Sequence, residues 1–198
     1  MFKSYYLSKF LYVAVIFFCV DTYRPDISRP PEQKNAAEKT KRERLQEIYA
    51  TELGVRELSG KNDGPKVEQY LHYVGLKKGN PWCAAFVCWA LGNAGLSNPR
   101  SGWSPDLFPD ANVTWRRSRA LHADNKPPRP GDVFGIWFPQ KGRIAHVGFV
   151  DHWGENWMIS VEGNTNEAGS AEGDGVYRKR RLIASIYKVS DFIKEKKI

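Results

Sequence analysis

The polar and apolar positions of this chain change their period along its length, and each change marks a different kind of element. Residues 10–20 form an unbroken apolar run, preceded by Lys3 and Lys9 and closed by Asp21. At 11 residues the run is shorter than the roughly 20 a spanning helix needs, unless the preceding Tyr and Leu residues are included. Lysines ahead of such a run match the basic start of an export signal. No small-x-small site precedes Asp21, and Phe18 stands before Cys19 where a lipoprotein signal has a small residue. A cleaved signal and a retained N-terminal membrane anchor are therefore both open, and an exported product is expected, periplasmic, extracellular or membrane-anchored.

The pattern then becomes helical. Residues 23–31 are broken by three prolines and read as a linker, because proline fixes φ and removes a donor. From Glu32 the charges Lys34/Glu38, Glu38/Arg42 and Lys39/Glu43 stand four apart, the spacing of neighbours on a helix face, which predicts a solvated charged helix. An apolar stripe of Leu45, Ile48, Tyr49 and Leu53 joins it, with Gly54 placed to end the helix. After the turn Asn62-Asp63-Gly64-Pro65 a second helix is predicted, carrying Val67, Tyr70, Leu71 and Val74 on one face and stopping at Gly75. A third, nearly all apolar, runs through Trp82-Cys-Ala-Ala-Phe-Val-Cys-Trp-Ala-Leu91, with Asn80 read as its N-cap and Pro81 as its first residue.

Beyond residue 130 the period shortens to two. Strands are predicted over residues 133–138, 144–151, 158–163, 176–183 and 185–189, with turns near 139–143 and 152–156. Helices first and strands after is the α+β pattern, here helices packed on a C-terminal antiparallel sheet. Residues 97–130 are long, aperiodic and rich in Pro, Trp and Arg, the kind of loop that is usually functional or holds short helices. The expected organisation is a signal or anchor over 1–22, a linker and charged helix over 23–44, and one folded domain over 45–198.

Composition narrows the class. Seven Trp, nine Tyr and ten Phe among 198 residues exclude a wholly disordered chain, and three cysteines are too few for a disulfide framework. The net charge of +8 invites a nucleic-acid reading, but six acidic and six basic residues cancel between Glu32 and Glu57. The run Arg178-Lys-Arg-Arg181 alternates faces if it is a strand, so no nucleic-acid partner is expected.

Candidate chemistry centres on Cys83. A thiol in the first turn of a helix faces exposed N–H groups and the positive end of the dipole, which favour the thiolate. Cys88 diverges from it by five helical positions and reads as core. A nucleophilic thiol needs a base, and of His72, His122, His146 and His152 only His146 has a suitable setting, inside Ile144-Ala-His-Val-Gly148. A hairpin centred near Gly154 with Asp151 opposite Trp157 would set His146 opposite Glu162, with Asn164 as diagonal neighbour and alternative orienting group.

These motifs, Trp-Cys-Ala-Ala-Phe-Val at a helix start, Pro-Gly-Asp opening a strand, His-Val-Gly-Phe-Val in the next and Glu-Gly-Asn in the one after, resemble the CHAP family of cysteine, histidine-dependent amidohydrolases and peptidases. The resemblance implies a papain-like α+β fold and a cysteine-dependent peptidoglycan hydrolase cutting an amide of cell-wall peptides, either as an N-acetylmuramoyl-L-alanine amidase or as an endopeptidase. It implies Cys83 as nucleophile, His146 as base, and Glu162 and Asn164 as groups that orient the imidazole or assist the oxyanion. It carries no cofactor, and the enzyme is expected to act as a monomer. The alternative is a non-catalytic wall-peptide binder of the same fold. A zinc hydrolase lacks its ligand spacing here, and the loop over 164–175 has Gly175 where a calcium loop needs a bidentate Glu, so no metal is expected.

Overall fold

The computed structural model describes residues 31–119, 126–167 and 173–194; the expected signal or anchor over 1–22, the linker through residue 30 and His122 lie outside them. Three helices, α1 (Pro31–Thr51), α2 (Pro65–Tyr73) and α3 (Cys83–Asn93), precede most of the sheet. Six strands follow: β1 (Val113–Arg116), β2 (Val133–Phe138), β3 (Arg143–Trp153), β4 (Trp157–Thr165), β5 (Gly175–Leu182) and β6 (Lys188–Ser190). They form one sheet in the order β1-β6-β2-β3-β4-β5, every neighbouring pair antiparallel. This is the α+β architecture expected from the change of period. Among the described residues no helix is long and apolar enough to cross a membrane.

α3 is the centre of the packing. Every side chain from Cys83 to Leu91 is buried, which is why no amphipathic stripe is visible in this stretch. It lies with Leu45 and Tyr49 of α1, Val67, Tyr70 and Leu71 of α2, and Val147, Phe149 and Val161 of the sheet in one apolar core. Gly163 lets α3 approach β4 closely, since a Cβ there would stand 2.7 Å from the Trp82 ring and 2.9 Å from Phe86 Cβ. The opposite sheet face carries a smaller cluster of Trp115, Phe134, Val150, Met158, Ile186 and Val189.

Four details differ from the sequence reading. The 97–130 region contributes β1, an edge strand bonded to β6, which four residues of weak periodicity do not announce. The last strand is Lys188–Ser190, because Ile183–Ser185 forms a 3-10 turn. The helical charge over 32–53 is mostly solvated, but Arg42 is buried: its guanidinium reaches Asp132 and Asp191, each at 2.7 Å, and ties α1 to the sheet. Finally, α3 begins at Cys83 with Trp82 as a cap residue that makes no side-chain cap bond. Asn80 instead donates to the Lys77 carbonyl at 2.9 Å, closing the turn around Gly79 (φ 91°). Burial of Trp82, whose Nε1–H donates to Glu57 at 2.8 Å, fixes the helix start in place of the expected cap.

Candidate active site

Cys83 is the first residue of α3, and its N–H precedes the first intrahelical bond, which runs from Phe86 N to the Trp82 carbonyl at 2.9 Å. Its amide is thus one of the free donors at a helix start. The side chain retains 5% of its surface, and Sγ lies 3.7 Å from Ser104 Oγ. Ser104 opens the 3-10 turn Ser104–Leu107 inside the aperiodic stretch. Beside it Trp103 is 50% exposed, with the Arg143 guanidinium 3.9 Å from its ring centroid.

His146 comes from β3, the neighbour of β4 in the sheet, and is buried. Its Nε2 is 2.8 Å from Glu162 Oε2. The remaining ring nitrogen, Nδ1, is buried with no hydrogen-bond partner, which leaves it as the nitrogen available to the thiol. The strand register behind this contact differs from the expected one. β3 runs on to Trp153, which packs on Trp115 at 5.3 Å, and a bulge between Val150 and His152 brings Val150 opposite Ser160 and Phe149 opposite Val161. Continued at that register, Glu162 faces Gly148 rather than His146. The shift is two residues, so the face is unchanged and only the diagonal differs. Gly148 makes the diagonal reach possible: a Cβ there would meet Glu162 Cγ at 2.8 Å.

The Glu162 carboxylate is fully engaged. Oε1 accepts from the Ser160 hydroxyl and from Arg181 Nε at 2.6 Å, while Oε2 accepts from Arg181 Nη2 and the imidazole. Arg181 was legible only as part of a basic run. In β5 that run separates: Arg178 pairs with Asp151 at 3.1 Å, Lys179 donates to backbone carbonyls, Arg180 lies over Trp157, and Arg181 turns to Glu162. Asn164 is brought to the same region, yet neither atom of its buried amide has a hydrogen-bond partner, so it does not hold the imidazole.

The charges follow from these contacts. Burial opposes ionisation of Cys83, but the adjacent His146, aided by Ser104 and the Val147 backbone, outweighs it and lowers the thiol below its usual value. Burial likewise opposes protonation of His146, and Cys83 and Glu162 outweigh it, raising the imidazole to about 9. Glu162 is lowered to about 2, since Arg181 and His146 overcome its desolvation. Opposite shifts on adjacent groups favour transfer of the thiol proton to the imidazole. Cys88 shows the contrast: burial pushes it up to about 11, and its thiol donates to the Ser101 carbonyl.

The other candidates do not join this constellation. His72 and His152 are exposed. Of the tryptophans, Trp82 and Trp115 are core, whereas Trp103, Trp137 and Trp157 are exposed. Among the described residues no cluster of three His, Cys, Asp or Glu side chains could hold a metal ion. Part of the loop over 164–175 lies outside them.

Residues 75–164 match the family model of the CHAP domain. That stretch is similar to a CHAP domain. The matched stretch contains Cys83, His146, Glu162 and Asn164, while Arg181 and α1 lie beyond it. No curated protein matches the chain in sequence. Among solved structures, the chain is similar to a mutated form of the resuscitation promoting factor interacting protein RipA, at 15% identity and a TM-score of 0.47 over 83% of this chain. It spans 66% of that RipA chain, just under two thirds. The peptidoglycan hydrolase RipB from Mycobacterium tuberculosis is similar at 17% identity, with a TM-score of 0.47, 84% of this chain and 74% of that one covered.

Proposed function

We propose that this protein is a cysteine-dependent peptidoglycan hydrolase that cuts an amide bond of cell-wall peptides through a thioester acyl-enzyme. The observation that carries the reading is the series Cys83, His146, Glu162, with a thiol held below its usual pKa at a helix start and an imidazole anchored by a buried carboxylate. The CHAP match and the hydrolase named among the similar structures supply the substrate class.

In this reading the Cys83 thiolate attacks the amide carbonyl, and the Cys83 N–H, free at the start of α3, stabilises the oxyanion. His146 donates its Nδ1 proton to the leaving amine, so the C–N bond breaks with a neutral amine as product. The neutral imidazole then takes a proton from water, whose oxygen attacks the thioester; the acid is released and the thiolate returns. Glu162 holds Nε2–H throughout, and Ser160 and Arg181 hold Glu162. Residues 1–22 would export or anchor the enzyme, residues 23–44 would link it, and residues 45–198 would form the catalytic unit.

The rival reading, a binder of wall peptides, gives no reason for a lowered thiol pKa. Iodoacetamide at neutral pH discriminates: Cys83 is expected to alkylate much faster than Cys88, with hydrolysis of purified sacculi lost in parallel. Equal labelling of the two, or activity surviving alkylation of Cys83, would remove the mechanism. Mass spectrometry of the released products assigns the bond, lactyl amide or peptide.

A further inference from the structure

Asn164 is the site residue that the Cys83, His146 and Glu162 contacts leave unused. It is 1% exposed, and both its Oδ1 and its Nδ2 lack a hydrogen-bond partner. A buried amide with both atoms unpaired is rare in a native protein and marks a place where a partner is missing. Asn164 is one of the residues lining a cavity of about 520 Å³. The same wall carries the carboxylates of Glu57, Glu167 and Asp174 together with Tyr177, and among the described residues no Lys or Arg lines it. Two cations border this wall without joining the carboxylates in these contacts: Arg56 lies over the Tyr177 ring at 4.0 Å, and Lys179 Nζ donates to the backbone carbonyls of Asn166 and Glu167. Glu57 accepts from Trp82 Nε1 and Asn62 N, and Asp174 from the Tyr177 hydroxyl, which leaves acceptor capacity on each carboxylate. Two lining residues tie the cavity to the reacting groups: Glu57 accepts from Trp82, which precedes Cys83, and Asn164 is two residues beyond Glu162.

We propose that this cavity is a substrate subsite for a peptide segment bearing a free ammonium group. Asn164 pairs with one peptide unit, Nδ2 donating to its carbonyl and Oδ1 accepting from its N–H, and the carboxylates of Glu57, Glu167 and Asp174 receive the ammonium. This deepens the hydrolase reading by naming a feature of the peptides it would cut, and it rests on that reading for the identity of the substrate. An α-ammonium and a side-chain ammonium offer the same chemistry, so both are tested.

The full chain bearing Cys83→Ala is titrated calorimetrically with the tripeptide Ala-Ala-Lys, its α-acetyl form, its side-chain acetyl form and its doubly acetylated form. A charge-assisted bond predicts about ten- to hundred-fold tighter binding of the peptide with the preferred ammonium than of the doubly acetylated one, and the two singly acetylated forms identify which ammonium is read. Adding Asp174→Asn and Glu167→Gln should abolish that preference. Asn164→Gly, chosen because Asn164 sits at φ 55°, should weaken all four peptides by a similar factor and leave the preference intact. Equal binding of the four peptides, no binding of any, or a preference unmoved by the carboxylate substitutions would overturn the subsite. Sacculus hydrolysis by the unsubstituted chain, run in parallel, separates the two ideas. Cleavage without ammonium preference sinks the subsite alone, and ammonium-selective binding without cleavage sinks the hydrolase reading alone.

Discussion

Replacing Glu162 with Gln tests how the imidazole is held, because it keeps the shape of the side chain and changes one oxygen into a donor. Four donors converge on the carboxylate, two on each oxygen: Ser160 and Arg181 Nε on Oε1, and Arg181 Nη2 and His146 Nε2 on Oε2. With an amide, two of them must face another donor. The least costly arrangement turns the amide nitrogen toward Ser160, whose hydroxyl can rotate to accept, and leaves Arg181 Nε unpaired. The imidazolium then donates to a neutral oxygen in place of a carboxylate. Charge-assisted bonds are worth about 1.5–3 kcal/mol and neutral ones about 0.5–1.5, so roughly 1–2 kcal/mol of imidazolium stabilisation is lost. That predicts kcat/KM on sacculi or a cell-wall peptide lower by about 5- to 30-fold. It also predicts that the alkaline limb of the pH profile, set by a His146 raised to about 9, moves down by about one unit. Because Arg181 keeps some solvent contact, unfolding stability should fall by only about 1–2 kcal/mol. Retention of more than half of kcat/KM with an unmoved alkaline limb would refute the orienting role of Glu162.

Gly148→Ala should be more damaging than its size suggests, since the new methyl would lie 2.8 Å from Glu162 Cγ and 2.9 Å from both the Phe134 ring and the Val161 carbonyl. A loss of about 1–3 kcal/mol in chemical denaturation is expected, together with a lower kcat from displacement of Glu162. Arg42→Met leaves the buried Asp132 without its cation and Asp191 with Arg129 alone, at about 3 kcal/mol, and thermal unfolding should show the drop while the active-site pH limbs stay put. In the unsubstituted protein His146 is protonated more readily when folded than its usual value of 6.5. Its contribution to stability is therefore complete below about 6.5 and lost as pH rises through about 9, which thermal melts across that range should follow.

How far the sequence revealed the site depends on what each residue rests on. Cys83 was legible because a helix start and an apolar run are local features, and α3 begins there even though Trp82 and its bond to Glu57, not Asn80, fix the boundary. His146 and Glu162 were legible through the period of two: a register error of two residues preserves the face, so the pair survived a hairpin that turns later than expected and carries a bulge. The choice between Glu162 and Asn164 as orienting group could not be made from spacing, because it depends on which side chain crosses the open position at Gly148. Ser104 and Arg181 were out of reach. The first comes from a stretch with no period, and the second is hidden in a basic run whose members point to four different partners. A partner defined only by tertiary contact leaves no local signal.

The central claim is that the Cys83 thiolate performs amide hydrolysis on cell-wall peptides. Purified sacculi incubated with the full chain and with its Cys83→Ala form, each confirmed as folded by circular dichroism, test it directly by counting the new amino groups released. The account predicts steady release from the unsubstituted protein and none above background from Cys83→Ala. Equal release from both forms would contradict it.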